Sequence, residues 1–177
     1  MNQDIWDAIE HGDLPRLIGL LDEAGDDVDL DAHDDQGNTA LAIATGNGFP
    51  EIVELLLSRG ASPDVLRKDQ MGRPFRACLH DVSLPDIPNQ LEIAQILIRY
   101  GASVNVLCSS GYTPLLVAVE WHRHDMVDFL LRHGADPLLG SSDTDSLTSA
   151  IEKFTDNDVI QDEGEEIYIC MALPQSQ

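Results

Sequence analysis

Two stretches of this chain, GNTALAIATGNGFPEIVELLLSRGASP (37–63) and GYTPLLVAVEWHRHDMVDFLLRHGADP (111–137), carry the same punctuation in the same places. Gly37 to Gly60 and Gly111 to Gly134 are both 23 residues, Gly101 to Gly134 is 33, and a third echo, LEIAQILIRYGASVN, stands at 91–105. In the two long copies Thr39 or Thr113 is placed to cap a helix by accepting a bond from an early backbone amide. Pro114 gives up an amide hydrogen that lacks a partner in a first turn. Leu115, Ala118 and Val119 recur at helical spacing, and Leu41 and Ala44 repeat the first two. In each second helix Val53, Leu56 and Leu57, or Val127, Leu130 and Leu131, form one apolar stripe. Gly60, Gly101 and Gly134 end these helices. A helix pair this short cannot bury two faces alone, so each copy must complete the core of the next, and the chain is read as a one-dimensional stack.

These residues resemble the ankyrin repeat, a unit of about 33 residues that runs turn, helix, helix. The copy at 111–137 keeps the glycine turn, Thr-Pro start, Ala and closing Gly-Ala-Asp but has His122 where the family has a glycine between helices. The copy at 37–63 keeps that glycine as Gly48 and replaces the proline with Ala40. The resemblance implies an all-α ankyrin-repeat solenoid with β-turn fingers. We read a single domain of four repeats, about 4–30, 31–64, 65–105 and 106–138, followed by a partial cap over 139–173. The cap's first helix is expected from Asp145 to Phe154, with EIYICMAL (166–173) covering the end of the stack. The third repeat is disturbed. Matching Pro74 to Pro114 leaves seven extra residues before Gly101, and matching Gly72 to Gly111 leaves six. Pro85 and Pro88 disfavour a continuous helix, so the insertion is expected at 81–90.

Ten Lys and Arg stand against 32 Asp and Glu, a net charge of −22. That charge repels phosphate backbones and anionic membranes and suits a basic protein partner. Residues 1–35 hold twelve acids and one base, Arg16; residues 143–177 hold nine acids and one base, Lys153. Acidic ends serve solubility on one reading and a docking field on another. No stretch has the length and hydropathy of a membrane span, and the start MNQDIWDAIEHGD lacks the basic and apolar regions of a signal peptide. A monomer in a reducing cytoplasm is the expectation. Cys78, Cys108 and Cys170 form no CxxC pair and read as reduced small residues rather than ligands or bridges.

Catalytic and metal chemistry finds little support. His122 and His124 are two apart and His124 and Asp125 one apart, spacings that point side chains to different faces of a helix; His122 also falls at the bend between helices, and His11, His33, His80 and His133 fall in separate repeats. No Gly-rich phosphate loop, HExxH or GxSxG turn is present. Counting an EF-hand from Asp22 or Asp26 puts an Asp where the glycine belongs. No cofactor or metal is expected, and no enzymatic activity.

By resemblance, such stacks bind proteins with the finger tips and the exposed side of each first helix. Carried over by position, this gives Asp34, Asp35, Gln36, Asn38 and Asn47 in the second repeat. The third offers Asp69, Gln70, Met71 and Arg73, and the fourth Ser109, Ser110, Tyr112, Glu120 and Trp121. Met71, Tyr112 and Trp121 have the composition of interface anchors, although Trp121 packed on a neighbouring repeat is an open alternative; Trp6 reads as core. Leu84 and Ile87 in the insertion have no helical face to hide them and are a further contact candidate, the alternative being that they fold back over the third repeat. The resulting expectation is a non-catalytic binding module. Its first form is an acidic inhibitor, similar to bacterial immunity proteins and antitoxins, that occludes the active site of a basic toxin or enzyme. The alternative is a scaffold or regulatory adaptor joining protein partners.

Overall fold

The computed structural model describes residues 3–25 and 28–140 of the 177-residue chain. The expected cap helix at Asp145–Phe154 and the segment 166–173 lie outside the described residues. Within them are eight helices in four pairs: α1 (Gln3–Glu10) with α2 (Leu14–Ala24), α3 (Ala40–Gly46) with α4 (Pro50–Ser58), α5 (Cys78–Asp81) with α6 (Gln90–Arg99), and α7 (Pro114–Glu120) with α8 (His124–Arg132). The first helices form one layer, α1 against α3, α3 against α5 and α5 against α7, while α4 packs on α6 in the second layer. The architecture is therefore the all-α ankyrin solenoid expected from the repeat.

Local chemistry sets each unit. The hydroxyls of Thr39 and Thr113 accept from the amides of Ala42 and Leu116, both at 3.2 Å, and Asp13 caps α2 from Arg16 N–H at 3.1 Å. At the bend between the helices of a pair, Gly12, Gly48 and His122 all take positive φ, 69°, 72° and 53°. The residue after each donates to a carbonyl five positions back: Asp13 to Ala8, Phe49 to Ala44, Arg123 to Ala118. His122 thus adopts the glycine's conformation without being one, at a typical cost of about 1–2 kcal/mol.

The stripe residues Leu17, Leu41, Leu56, Leu79, Ile93, Leu97, Leu115, Met126 and Leu130 are fully buried and run as one core through all four pairs. Trp6 is buried in this core at the N-terminal end. Neighbouring units are also tied by a recurring polar bond. Asp31, Asp64 and Asn105 accept from the backbone amides of Ser62, Ser103 and Asp136, each just past the closing Gly-Ala of the following unit.

The third unit departs from the expected register. From Gly60 to Gly101 it is 41 residues, against 33 from Gly101 to Gly134. Its excess falls in three places. Asp64 precedes Gly72 by eight positions where Asn105 precedes Gly111 by six. Helix α5 starts after Ala77, five positions beyond Gly72, where α7 starts after Thr113, two beyond Gly111. The remaining three residues lie in the bend between α5 and α6, within the 81–90 segment. Pro74, read from the motif as a helix start, lies instead in the finger, bridged to Lys68. The reason is that Arg67 N–H donates to Arg76 C=O at 2.9 Å and Phe75 N–H to Arg67 C=O at 2.7 Å. These bonds draw residues 74–76 into a longer hairpin arm before a helix can begin.

The bend segment folds back onto both neighbours. Its Asn89 side chain donates to Gly48 C=O at 3.1 Å, and Leu84 C=O accepts from Arg123 at 3.0 Å. Asp86 and Asn89 take positive φ. Leu84 and Ile87 are half-buried.

Candidate docking face

Three fingers, around residues 33–39, 67–76 and 108–113, stand side by side. Lys68 N–H donates to Gly37 C=O at 2.6 Å, and Ser109 N–H donates to Phe75 C=O at 3.1 Å, so each finger is stitched to the next through backbone. Two histidines reinforce the alignment: His33 Nε2 donates to Leu66 C=O and His80 Nε2 to Tyr112 C=O, both at 3.0 Å. Because a carbonyl only accepts, each ring must carry its proton on Nε2. Burial holds the pKa of His80 below its ordinary value, the bond to Tyr112 opposing, which favours the neutral ring. These histidines are joints between repeats rather than ligands.

The acidic finger residues divide into two roles. Asp34 accepts from the amides of Gln36 and Asn38, both at 2.8 Å. Asp69 accepts from those of Met71 and Arg73 at 2.9 and 3.0 Å, and from Arg73 Nε at 2.9 Å. The Arg73 side chain first, then these backbone bonds, hold the Asp69 carboxyl below its ordinary pKa. Both carboxylates are thus turned inward to shape their own turns. Cys108 occupies the same place in the fourth finger, three positions before Gly111, without a carboxylate to do this.

Asp35, Gln36, Gln70, Ser109 and Ser110 are exposed at the tips, and Asn38 is half-buried. The exposed large apolar side chains include Met71 at 78%, Tyr112 at 43% and Trp121 at 51%. Trp121 and Glu120 stand at the C-terminal end of α7 and Asn47 at that of α3, beyond the helices from the fingers. The exposure of Trp121 leaves half its surface off the neighbouring repeat.

Sequence reasoning missed the base of the third finger. Arg67 and Arg76 reach Asp81 at 3.2 and 3.4 Å, and all three side chains are largely buried. These are charged contacts rather than aligned hydrogen bonds. The Phe75 ring lies 5.4 Å from the Arg67 guanidinium and 4.4 Å from that of Arg76. Burial pushes the Asp81 carboxyl up, against the pull of Arg67 and Arg76. An open groove between fingers two and three is lined by Asp34, Asp35, Arg67, Lys68 and Phe75 among others. The signal was present in the sequence: RKDQMGRPFR (67–76) holds four of the chain's ten basic residues.

Among the described residues no His, Cys, Asp and Glu cluster could hold a metal ion, and no helix is long and apolar enough to cross a membrane. Cys78 is buried and its thiol is pushed up to about 12, mainly by burial.

Stacked helix pairs with linked fingers define a repeat solenoid of the protein-interaction class. The chain belongs to the ankyrin-repeat family. Residues 36–68 match the family model "Ankyrin repeat" and residues 87–140 the model "Ankyrin repeats (3 copies)". The residues between the matches, 69–86, hold most of the lengthened finger and all of α5. The chain is similar to the mouse B-cell lymphoma 3 protein homolog, 35% identical over 140 residues, covering 78% of this chain and 30% of that protein. It is 31% identical over 123 residues to a putative ankyrin repeat-containing protein of Treponema pallidum, covering 70% and 38%. Human ankyrin repeat and SOCS box protein 6 is 34% identical over 123 residues, covering 64% and 27%. The chain thus spans about a third of the length of these relatives.

Proposed function

We propose that the finger-and-first-helix face docks a basic protein and acts by occlusion rather than catalysis. The observation that carries this reading is the exposure of Met71, Tyr112 and Trp121 among polar neighbours on a protein-interaction scaffold. Large rigid or polarisable side chains ringed by polar groups are the usual anchors of an interface. The partner's sign follows from the net charge of −22 and the twelve acids in the first 35 residues, which steer a basic surface inward and repel an acidic one.

The most specific form is an inhibitor of the immunity or antitoxin type. Asp35, Gln36, Asn38, Gln70, Ser109, Ser110 and Glu120 would line the contact, with Asn47, Leu84 and Ile87 at its bend side. Asp34, Asp69 and Arg73 would shape the tips. The chain acts as a monomer in the cytoplasm on this reading. A second reading, an adaptor joining protein partners, draws on the relatives, in which the matched stack is only about a third of a larger protein.

Affinity capture with the purified chain, followed by association kinetics of the captured protein, tests the proposal. It predicts a one-to-one complex with a partner of basic pI whose association rate falls steeply with salt. A captured partner of acidic pI, or an association rate indifferent to salt, would reject the inhibitor reading. Two partners bound together would favour the adaptor.

A further inference from the structure

The third finger is a basic island in an acidic protein. Residues 67–76 carry Arg67, Lys68, Arg73 and Arg76 against one acid, Asp69. Asp81 neutralises one of the two buried arginines and Asp69 pairs with Arg73 at 2.7 Å, which leaves an excess of two positive charges at this finger. Lys68 is exposed, the Arg73 side chain is 68% exposed, and the tip residue Met71 is 78% exposed. The second finger is different in sign: Asp34 and Asp35 form the opposite wall of the shared groove. An acidic ligand would meet carboxylates across the groove, so only the third finger itself offers it a favourable surface.

The chain contains such a ligand. Residues 154–177 hold six acids, Asp156, Asp158, Asp162, Glu163, Glu165 and Glu166, and no Lys or Arg, with Val159, Ile160 and Ile167 interspersed. The described chain ends beside the right place. A Cβ on Gly140 would lie 2.5 Å from Gly111 C=O and 3.1 Å from Leu116, so the backbone there rests on the fourth finger. That finger is bonded to the third through Ser109 and Phe75. The fifteen residues 141–155 span at most about 50 Å when extended, several times the spacing of adjacent strands or helices.

We propose that the lengthened third finger is the docking surface for the chain's own acidic segment, residues 156–166, with Lys68 as its charged contact and Met71 as its apolar one. Tethering decides the occupant. A separate acidic molecule must approach a chain of net charge −22, whereas an attached segment is already present at about millimolar effective concentration. Contacts too weak to hold a free peptide then suffice to keep the segment in place.

The test needs no partner, so its result is independent of the function proposed above. With Cys108→Ser, a nitroxide on Cys170 places a paramagnetic centre four residues beyond Glu166, and amide spectra of the full chain read where it goes. Amides of residues 67–76 are expected to broaden selectively at about 0.15 M salt and to recover at about 1 M, where the screening length falls from about 8 to about 3 Å. Selective broadening is also expected to be lost in K68Q and in a chain with the six acids changed to Asn or Gln. The second variant leaves the finger untouched. Broadening spread evenly over the stack, centred elsewhere, or retained in both variants would overturn the proposal, as would broadening that grows with protein concentration, the mark of a second copy as occupant.

Discussion

His80 Nε2 donates to the carbonyl oxygen of Tyr112 at 3.0 Å, a bond that joins the short helix of the third repeat to the finger of the fourth. It places a buried, titratable joint between the least regular unit of the stack and a residue of the proposed docking face. His80 is fully buried and its folded pKa lies below 6.5. The unfolded chain therefore binds the proton more readily, and stability is fully present above the unfolded pKa and lost as pH falls below it. Urea midpoints are expected to drop between about pH 7.5 and about pH 5.5, and His80→Gln, which keeps a donor near Tyr112 but does not titrate, is expected to flatten that slope.

Gly48 is the bend residue against which the third repeat's loop packs. It has φ 72°, and an added Cβ would lie 2.6 Å from Pro88 Cβ and 2.7 Å from Pro88 O. Gly48→Ala combines a left-handed backbone with a clash and is expected to cost about 2–4 kcal/mol by denaturant unfolding. Gly19, inside α2, has nothing within 4 Å of its would-be Cβ. Gly19→Ala is expected to stabilise by about 0.5–1 kcal/mol.

The Arg67–Asp81–Arg76 cluster holds the long arms of the third finger to α5. Asp81→Asn leaves two largely buried cations without their counter-ion and is expected to cost about 3 kcal/mol or more, whereas replacing all three by apolar residues of similar volume is expected to be near neutral. Unfolding curves of the single and triple variants decide this. Equal losses in both would mean that the ion pairs themselves stabilise the finger.

Cys78, with its thiol raised to about 12, is a core residue in α5. A maleimide applied to the folded protein is expected to modify half-buried Cys108 while sparing Cys78, and to reach Cys78 only after denaturant is added. Peptide mass mapping reads the difference.

Much of this architecture was legible because its determinants are local. Thr39 and Thr113 cap helices from within four residues, and Gly60, Gly101 and Gly134 mark ends that need no distant partner. The third unit resisted the same reading. Spacing between Gly72 and Gly101 reveals extra residues but cannot place them, since their distribution depends on Arg67, Arg76 and Asp81 meeting in space. Pro74 has the neighbours of a helix start and lies in a hairpin arm because Phe75 and Arg76 pair with Arg67. Asp34 and Asp69 look like contact residues by position, yet their carboxylates are committed to their own turns. Side-chain direction is not written in a one-dimensional pattern.

Met71, Tyr112 and Trp121 are the proposed anchors of a protein partner. Titration calorimetry of the captured partner with M71A/Y112A/W121A, against Glu92→Ala on α6 as control, tests this role most directly. Binding at least about 100-fold weaker is expected for the triple variant, the loss of roughly two tenfold steps of 1.4 kcal/mol, with the control and the unfolding midpoint of the triple variant unchanged. Binding undiminished in the triple variant would contradict it.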